Sequence, residues 1–252
     1  MDIRATDLHK LNSITKYPSI LTYHEIGERG RLLPKLTQSL QGEELVISEK
    51  VDGTNARIIL FSEGYLLGSR EDLLTYNRDL LHNQAQGIVD GIRATADVLL
   101  EKYQPKEGIK VVFGEFFGGK VTSTSKFYTN GDFSLTGFRM FDAFNLDEDK
   151  ISELLSMEPE EISRWREAGG QPFFSESALM GLGLPVTPRL QAVPPPTSID
   201  GTYNWLKTVI PRSKVTLNYQ ASGKPEGVVV RTPDRSKIVK IRFEDYERTL
   251  RP

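Results

Sequence analysis

Apolar and polar residues alternate with a period of two in several short runs of this chain, the spacing of half-buried strands. Glu44-Leu45-Val46-Ile47-Ser48 leads into Lys50, and Ala56-Arg57-Ile58-Ile59-Leu60-Phe61 leads away from it. Tyr65-Leu66-Leu67-Gly68-Ser69-Arg70 pairs with the latter run as a hairpin across Glu63-Gly64. Residues 110–115, 136–141, 227–231 and 237–242 are strands by composition. A helical spacing of Leu80, Leu81, Ile88, Ile92, Val98 and Leu99 predicts a long helix over 77–102. Pro159-Glu160-Glu161 suits a helix N-terminus. Gln191-Ala192-Val193-Pro194-Pro195-Pro196 is the strongest break, a stiff extended connector before a helix around 199–210. The pattern predicts an antiparallel-sheet-rich α+β fold with helices inserted between strands, in a single domain over 1–252.

Composition narrows the chemistry. The 252 residues carry 32 basic and 34 acidic side chains, a net charge of -2, so any polyanion would have to be met by a local patch. Residues 142–162 hold eight Asp or Glu against one Lys, read as a solvated helical face. Residues 207–242 hold nine Lys or Arg against two acids, and this stretch contains Glu226-Gly227 and Lys240. The chain has no cysteine, which excludes disulfides and thiolate chemistry, and its three histidines are scattered, against a zinc site. No apolar run reaches the ~20 residues of a membrane span, and Met1-Asp2-Ile3-Arg4 lacks a secretion signal. The expectation is an intracellular, cytoplasmic chain without a membrane partner.

Candidate chemistry centres on Lys50-Val51-Asp52-Gly53-Thr54-Asn55. An amine with an ordinary pKa of ~10.4 is neutral in about 1 molecule in 2,500 at pH 7, a handicap of roughly 4.6 kcal/mol. A nucleophilic lysine needs desolvation or neighbouring cations. Val51 and the flanking apolar strands offer the first; Lys240 and Arg242, on one face of one strand, offer the second. Two cations on one face repel unless an anion lies between them. Asp52-Gly53 has turn chemistry, with Gly53 tolerant of positive φ. Glu115, between Phe113 and Phe116-Phe117, would cost several kcal/mol to bury unpaired and so requires a partner, a buried arginine being one choice.

Five segments occur in a fixed order: the Lys50 hexapeptide, Gly114-Glu115-Phe116-Phe117-Gly118-Gly119, Phe141-Asp142-Ala143-Phe144, Glu226-Gly227-Val228-Val229-Val230, and Lys240-Ile241-Arg242. Together they resemble the covalent nucleotidyltransferases, and Asp52-Gly53-Thr54-Asn55 resembles the ATP-dependent RNA ligase branch. The resemblance runs from Lys16-Tyr17-Pro18 to Phe243–Thr249. It implies Lys50 as the nucleophile, with Lys240 and Arg242 on the α-phosphate; Arg242 stands where the family normally has lysine. It implies Glu49, Asn55, Arg70, Glu115 and Phe141 around the nucleotide, with Phe138 or Phe144 as alternative adenine-stacking rings; Arg57, two residues after Asn55 and so on the same strand face, is expected beside them. Glu226 and Asp142 would take the divalent ion, Mg2+ or Mn2+.

The implied activity is autoadenylation on Lys50 by ATP, transfer of AMP to an RNA 5′-phosphate, and joining to a 3′-hydroxyl. The implied partner is RNA with such ends, including a nicked duplex. Alternatives are a DNA ligase or capping-type transferase, against which Asn55 argues, and a non-catalytic adenylate- or RNA-binding module. No P-loop motif is present. Only 49 residues precede Lys50 and ten follow Arg242, too few for an OB-fold at either end. The expectation is a monomeric adenylation domain without an appended OB-fold, for which a partner protein could supply nucleic-acid grip.

Overall fold

A computed structural model describes Ile3, residues 5–83 and residues 87–251. The N-terminal reading touches Met1, Asp2 and Arg4, which lie outside the described residues, as do residues 84–86 of the predicted helix and Pro252. In chain order the strands are β1 Leu21–Thr22, β2 His24–Ile26, β3 Leu32–Leu36, β4 Val46–Lys50, β5 Thr54–Phe61, β6 Gly64–Ser69, β7 Leu73–Tyr76, β8 Asp79–Leu80, β9 Ile109–Gly118, β10 Thr136–Leu146, β11 Gly227–Arg231 and β12 Ile238–Arg242. The helices are α1 Leu8–Thr15, α2 Ile88–Tyr103, α3 Lys126–Thr129, α4 Glu148–Ser156, α5 Pro159–Glu167, α6 Glu176–Met180, α7 Ile199–Val209 and α8 Phe243–Leu250. The chain forms two compact units. The first takes residues 1–19, 53–121 and 136–186; the second takes 20–52, 122–135 and 187–252.

The first unit is built on a six-stranded antiparallel sheet in the order β10-β9-β5-β6-β7-β8. Both faces are covered. On one, Ile88, Val89, Ile92, Ala96 and Leu99 of α2 share a core with Ala56, Ile58, Leu60, Leu67 and Val112. On the other, residues of α1, α4 and α5 (Leu11, Ile14, Ile151, Leu154, Ile162) share a core with Ile59, Phe61, Leu66, Val111 and Phe113. Each such Val, Leu, Ile or Phe side chain contributes about 1.5–3 kcal/mol when fully buried. Burial on both faces is why residues 58–61 of β5 are continuously apolar.

Two sequence expectations change here. The helix over 77–102 starts only at Ile88, because Asn77 adopts a left-handed conformation (φ 49) and turns β7 back into β8. Leu80 and Val98, counted in the apolar stripe, are exposed. In β10 the pairing with β9 jumps between Met140 and Asp142, so Phe141 is the extra residue of a β-bulge. Phe138 and Met140 face the α2 core, whereas Phe144 and Leu146 face the other. Plain alternation would have kept Phe138 and Phe144 together.

The second unit has a four-stranded sheet, β1-β12-β11-β4, in which β11 is antiparallel to both neighbours and β1 runs parallel to β12. Ile47, Val228, Val230, Val239 and Ile241 form its buried face, in one core with Trp205 and Leu206 of α7 and Tyr246 of α8. The proline connector is tied down rather than loose. Trp205 donates to the Val193 carbonyl at 3.1 Å and Thr202 to the Pro196 carbonyl at 2.7 Å, while Ser198 caps α7.

Candidate active site

In the second unit, alternation sends Ile47 and Glu49 of β4 to the core and leaves Ser48 and Lys50 on the opposite face. The same alternation on β12 buries Val239 and Ile241 and puts Lys240 and Arg242 on that opposite face, as the spacing predicted. Cross-strand register then aligns the chemistry: Gly227 of β11 pairs with Lys50 on one side and Arg242 on the other. A methyl group on Gly227 would stand 2.0 Å from the Ile241 carbonyl oxygen, so only glycine lets the three strands close up here.

Glu226, one residue earlier, accepts from the Lys50 ammonium at 2.6 Å. The side chains are only 27% and 18% exposed. Burial raises the Glu226 carboxyl above its usual pKa, an effect that attraction to Lys50 partly offsets and the Asp52 charge reinforces. Arg242 makes a forked pair with Asp245 of α8, two bonds of 2.9 Å. Burial opposes the charged guanidinium, yet Asp245, followed by Glu226 and Glu244, holds its pKa above the ordinary value.

Loops distant in sequence fix the residues flanking the lysine. The buried Glu49 accepts from the Ser213 hydroxyl at 2.5 Å and from the Lys214 amide at 2.8 Å. The Asp52 amide donates to the Tyr128 hydroxyl at 2.8 Å, and Thr124 donates to the Asp52 carboxylate at 2.6 Å. Burial raises the pKa of the Tyr128 hydroxyl, so it stays neutral and can accept. Sequence reasoning missed Thr124, Tyr128 and Ser213. A Thr-Ser-Thr-Ser run at 122–125 was the only visible cue, and it carries no periodicity.

In the first unit, Asn55, Glu115 and Arg139 form one row across β5, β9 and β10. The Asn55 side-chain oxygen is buried with no hydrogen-bond partner among the described residues. Such an orphan acceptor costs about 1–3 kcal/mol until a donor arrives. Phe141 lies edge-on to Tyr17, ring centres 5.0 Å apart, and Tyr17 donates to the buried Asp142 at 2.5 Å. Arg70 is exposed beside Glu71 at 3.6 Å.

Arg57, expected around the nucleotide, shares the Asn55 face but turns its fully buried guanidinium to the end of α1. It donates to the Asn12 carbonyl at 3.1 Å, to the Thr15 hydroxyl at 3.2 Å and to the Asn12 side chain. Burial lowers its pKa to about 9, against the pull of Glu71 and Asp72. Gly53 departs from expectation as well. It has no positive φ; a methyl there would sit 2.3 Å from the Phe116 carbonyl oxygen, so close approach demands glycine. Of the two expected ion ligands, Glu226 stands in the second unit beside Lys50, and Asp142 stands in the first unit, held by Tyr17. Among the described residues, no three His, Asp or Glu gather into a metal cage.

A family model described as RNA ligase matches residues 43–243. Among solved structures, the chain resembles the Naegleria gruberi RNA ligase in a glutamate-to-alanine variant with ATP and Mn, at 14% identity and a TM-score of 0.54, covering 94% of this chain and 62% of that one. It also resembles the same ligase with pyrophosphate, at 11% identity and a TM-score of 0.51, covering 94% and 58%. The chain thus spans about three-fifths of the length of these structures, and the likeness at this identity is one of fold. No curated protein matches it.

Proposed function

The chain belongs to the RNA ligase family, and from that premise we propose that it is an ATP-dependent RNA ligase whose nucleophile is Lys50. The observation that carries this reading is the Lys50–Gly227–Arg242 row, with Glu226 at 2.6 Å from the amine and Lys240 on the same face. That row concentrates cations where the α-phosphate of ATP would lie, the arrangement an attack at phosphorus needs. The deprotonated Lys50 amine bonds to the α-phosphorus as the bond to the pyrophosphate oxygen breaks, leaving a lysine–AMP phosphoramidate. An RNA 5′-phosphate oxygen then attacks the same phosphorus and frees Lys50. A 3′-hydroxyl displaces AMP from the activated end, forming the phosphodiester.

The residues fit a hard divalent ion. Mg2+ or Mn2+ takes one or two carboxylates and fills the rest of its sphere with phosphate oxygens and water, which suits a single partly buried Glu226 better than a cage would. Such an ion would neutralise charge on the polyphosphate. Asn55 is the residue we assign to the ribose, because its orphan acceptor supplies what a ribose hydroxyl completes. Glu115 and Phe141 are proposed beside it, on sugar and base, with Arg70 toward the polyphosphate and Glu49 near the base.

Incubation with α-labelled ATP and magnesium tests the reading. Label should appear on the wild type at Lys50 by peptide mapping and be absent from Lys50→Ala. Label retained in that variant would remove Lys50 from the role. Preference for GTP, or sealing confined to DNA nicks, would move the chain to the capping or DNA-joining reaction.

A further inference from the structure

Resting on the ligase reading for its biological sense, we infer that the loop 211–225 of the second unit is a single-stranded RNA platform, with Tyr219 as the ring on which a base stacks. Tyr219 is 86% exposed, more open than any other large apolar side chain among the described residues. An aromatic ring so presented contributes nothing to a core, yet the loop beneath it is held by its own hydrogen bonds. Gln220 donates its amide to the Asn218 side chain at 2.8 Å, and Ala221 donates to the Asn218 carbonyl at 3.1 Å. The Arg212 guanidinium donates to the Ala221 carbonyl at 2.7 Å and to the Tyr219 carbonyl at 3.4 Å. The ring is therefore displayed on a turn braced by a guanidinium at its own backbone carbonyl.

Charge selects the partner. Residues 206–225 contain Lys207, Arg212, Lys214 and Lys224 and no carboxylate, in a chain whose net charge is -2. The neighbouring segment 122–131 adds Lys126, again with no acid. The two segments are bonded together: the Leu217 amide donates to the Tyr128 carbonyl and the Gly223 amide to the Phe127 carbonyl, both at 2.8 Å. Arg212, Lys214, Lys224 and Lys126 are all exposed. Lys224 also lies 3.9 Å from Glu247 of α8, which leaves Arg212, Lys214 and Lys126 as the cations interleaved with the exposed ring, a combination that suits a polyanion with planar bases better than a protein surface.

Position completes the argument. Ser213 and the Lys214 amide hold Glu49, and Tyr128 and Thr124 hold Asp52, the residues on either side of the Lys50 segment. A strand bound on this loop is thus tied to the backbone that carries the nucleophile. None of the residues proposed to hold ATP lies on it.

Fluorescence anisotropy with a 5′-phosphorylated single-stranded RNA tests the platform, run beside autoadenylation in the absence of RNA. Tyr219→Ala should weaken RNA binding by about ten-fold, Tyr219→Trp should restore it, and both variants should label with ATP as the wild type does. Arg212→Ala should weaken binding and reduce the slope of log affinity against log salt by about 0.7. Equal RNA affinity in Tyr219→Ala would overturn the inference. So would a parallel loss of autoadenylation, which would make the ring structural, or wild-type protein that binds a protein partner through Tyr219 and no RNA. If RNA binding depends on Tyr219 but the wild type never labels with ATP, the platform stands and the ligase reading falls.

Discussion

Glu226 and Lys50 are partners 176 positions apart, and their short contact shapes what each can do. The carboxylate is partly buried, and removing either charge would strand the other in a poorly solvated place, at a cost of a few kcal/mol. His24 shows the same logic without an ion pair. It is fully buried; its Nε2 meets the Thr197 carbonyl at 2.9 Å, which requires a proton there, so Nδ1 accepts from the Tyr246 hydroxyl at 2.7 Å. Burial lowers its pKa below 6.5, and the Thr197 carbonyl only partly opposes this. A base with a depressed folded pKa stabilises the fold above its unfolded pKa, and that stability is lost as pH falls through the folded value. Thermal unfolding measured from pH 7.5 down to pH 5 should therefore show a decline beginning near pH 6.5, and His24→Gln should flatten it. An unchanged decline in that variant would assign the effect to other groups.

Among elements, α1 depends most visibly on side chains from elsewhere. Its last-turn carbonyls have no following turn of amides to accept from. Arg57 takes that of Asn12, Arg166 that of Ser13 at 2.8 Å, and Gln171 that of Ile14 at 2.9 Å. Two of the three are cations, which also suits the negative end of the helix dipole. Arg57→Met keeps the bulk and removes the bonds. It should cost about 2–4 kcal/mol in denaturant unfolding, and the KM for ATP in autoadenylation should stay near the wild-type value. A raised KM with unchanged stability would return Arg57 to the nucleotide. The bulge at Phe141 acts at the same level: one extra residue in β10 divides its aromatic rings between two cores.

At the scale of the whole molecule, each unit has its own main sheet, with a core on each face of it in the first unit and one core in the second, and each unit is assembled from three separated stretches of chain. Amides at the centre of a core open only with the unit that contains them. Native-state hydrogen exchange should therefore find two slow blocks, β5 with β9 and β11 with β12. A single slow block confined to one sheet would show that the other lacks a cooperative core. The Lys50 hexapeptide straddles the division, since Asp52 ends a stretch of one unit and Gly53 begins a stretch of the other.

Alternation with a period of two is a local property, and the residues alone determined the strands and strand faces that it dictates. They placed β4, β5, β11 and β12 close to where they lie and put Lys240 and Arg242 on one face; the ordered motifs named the family that the match over 43–243 shows. Local pattern does not encode which distant group meets a buried polar atom. Tyr128 and Ser213 reach the Lys50 segment from 76 and 164 positions away. Arg57 obeys its strand parity and still ends on α1, because a buried guanidinium must find acceptors wherever folding brings them. Gly53 and Gly227 owe their identity to carbonyls on neighbouring strands. Strand faces were thus determined by the sequence itself; hydrogen-bond partners, the bulge and the division into two units were decided only by the tertiary structure, since they depend on which segments pack together.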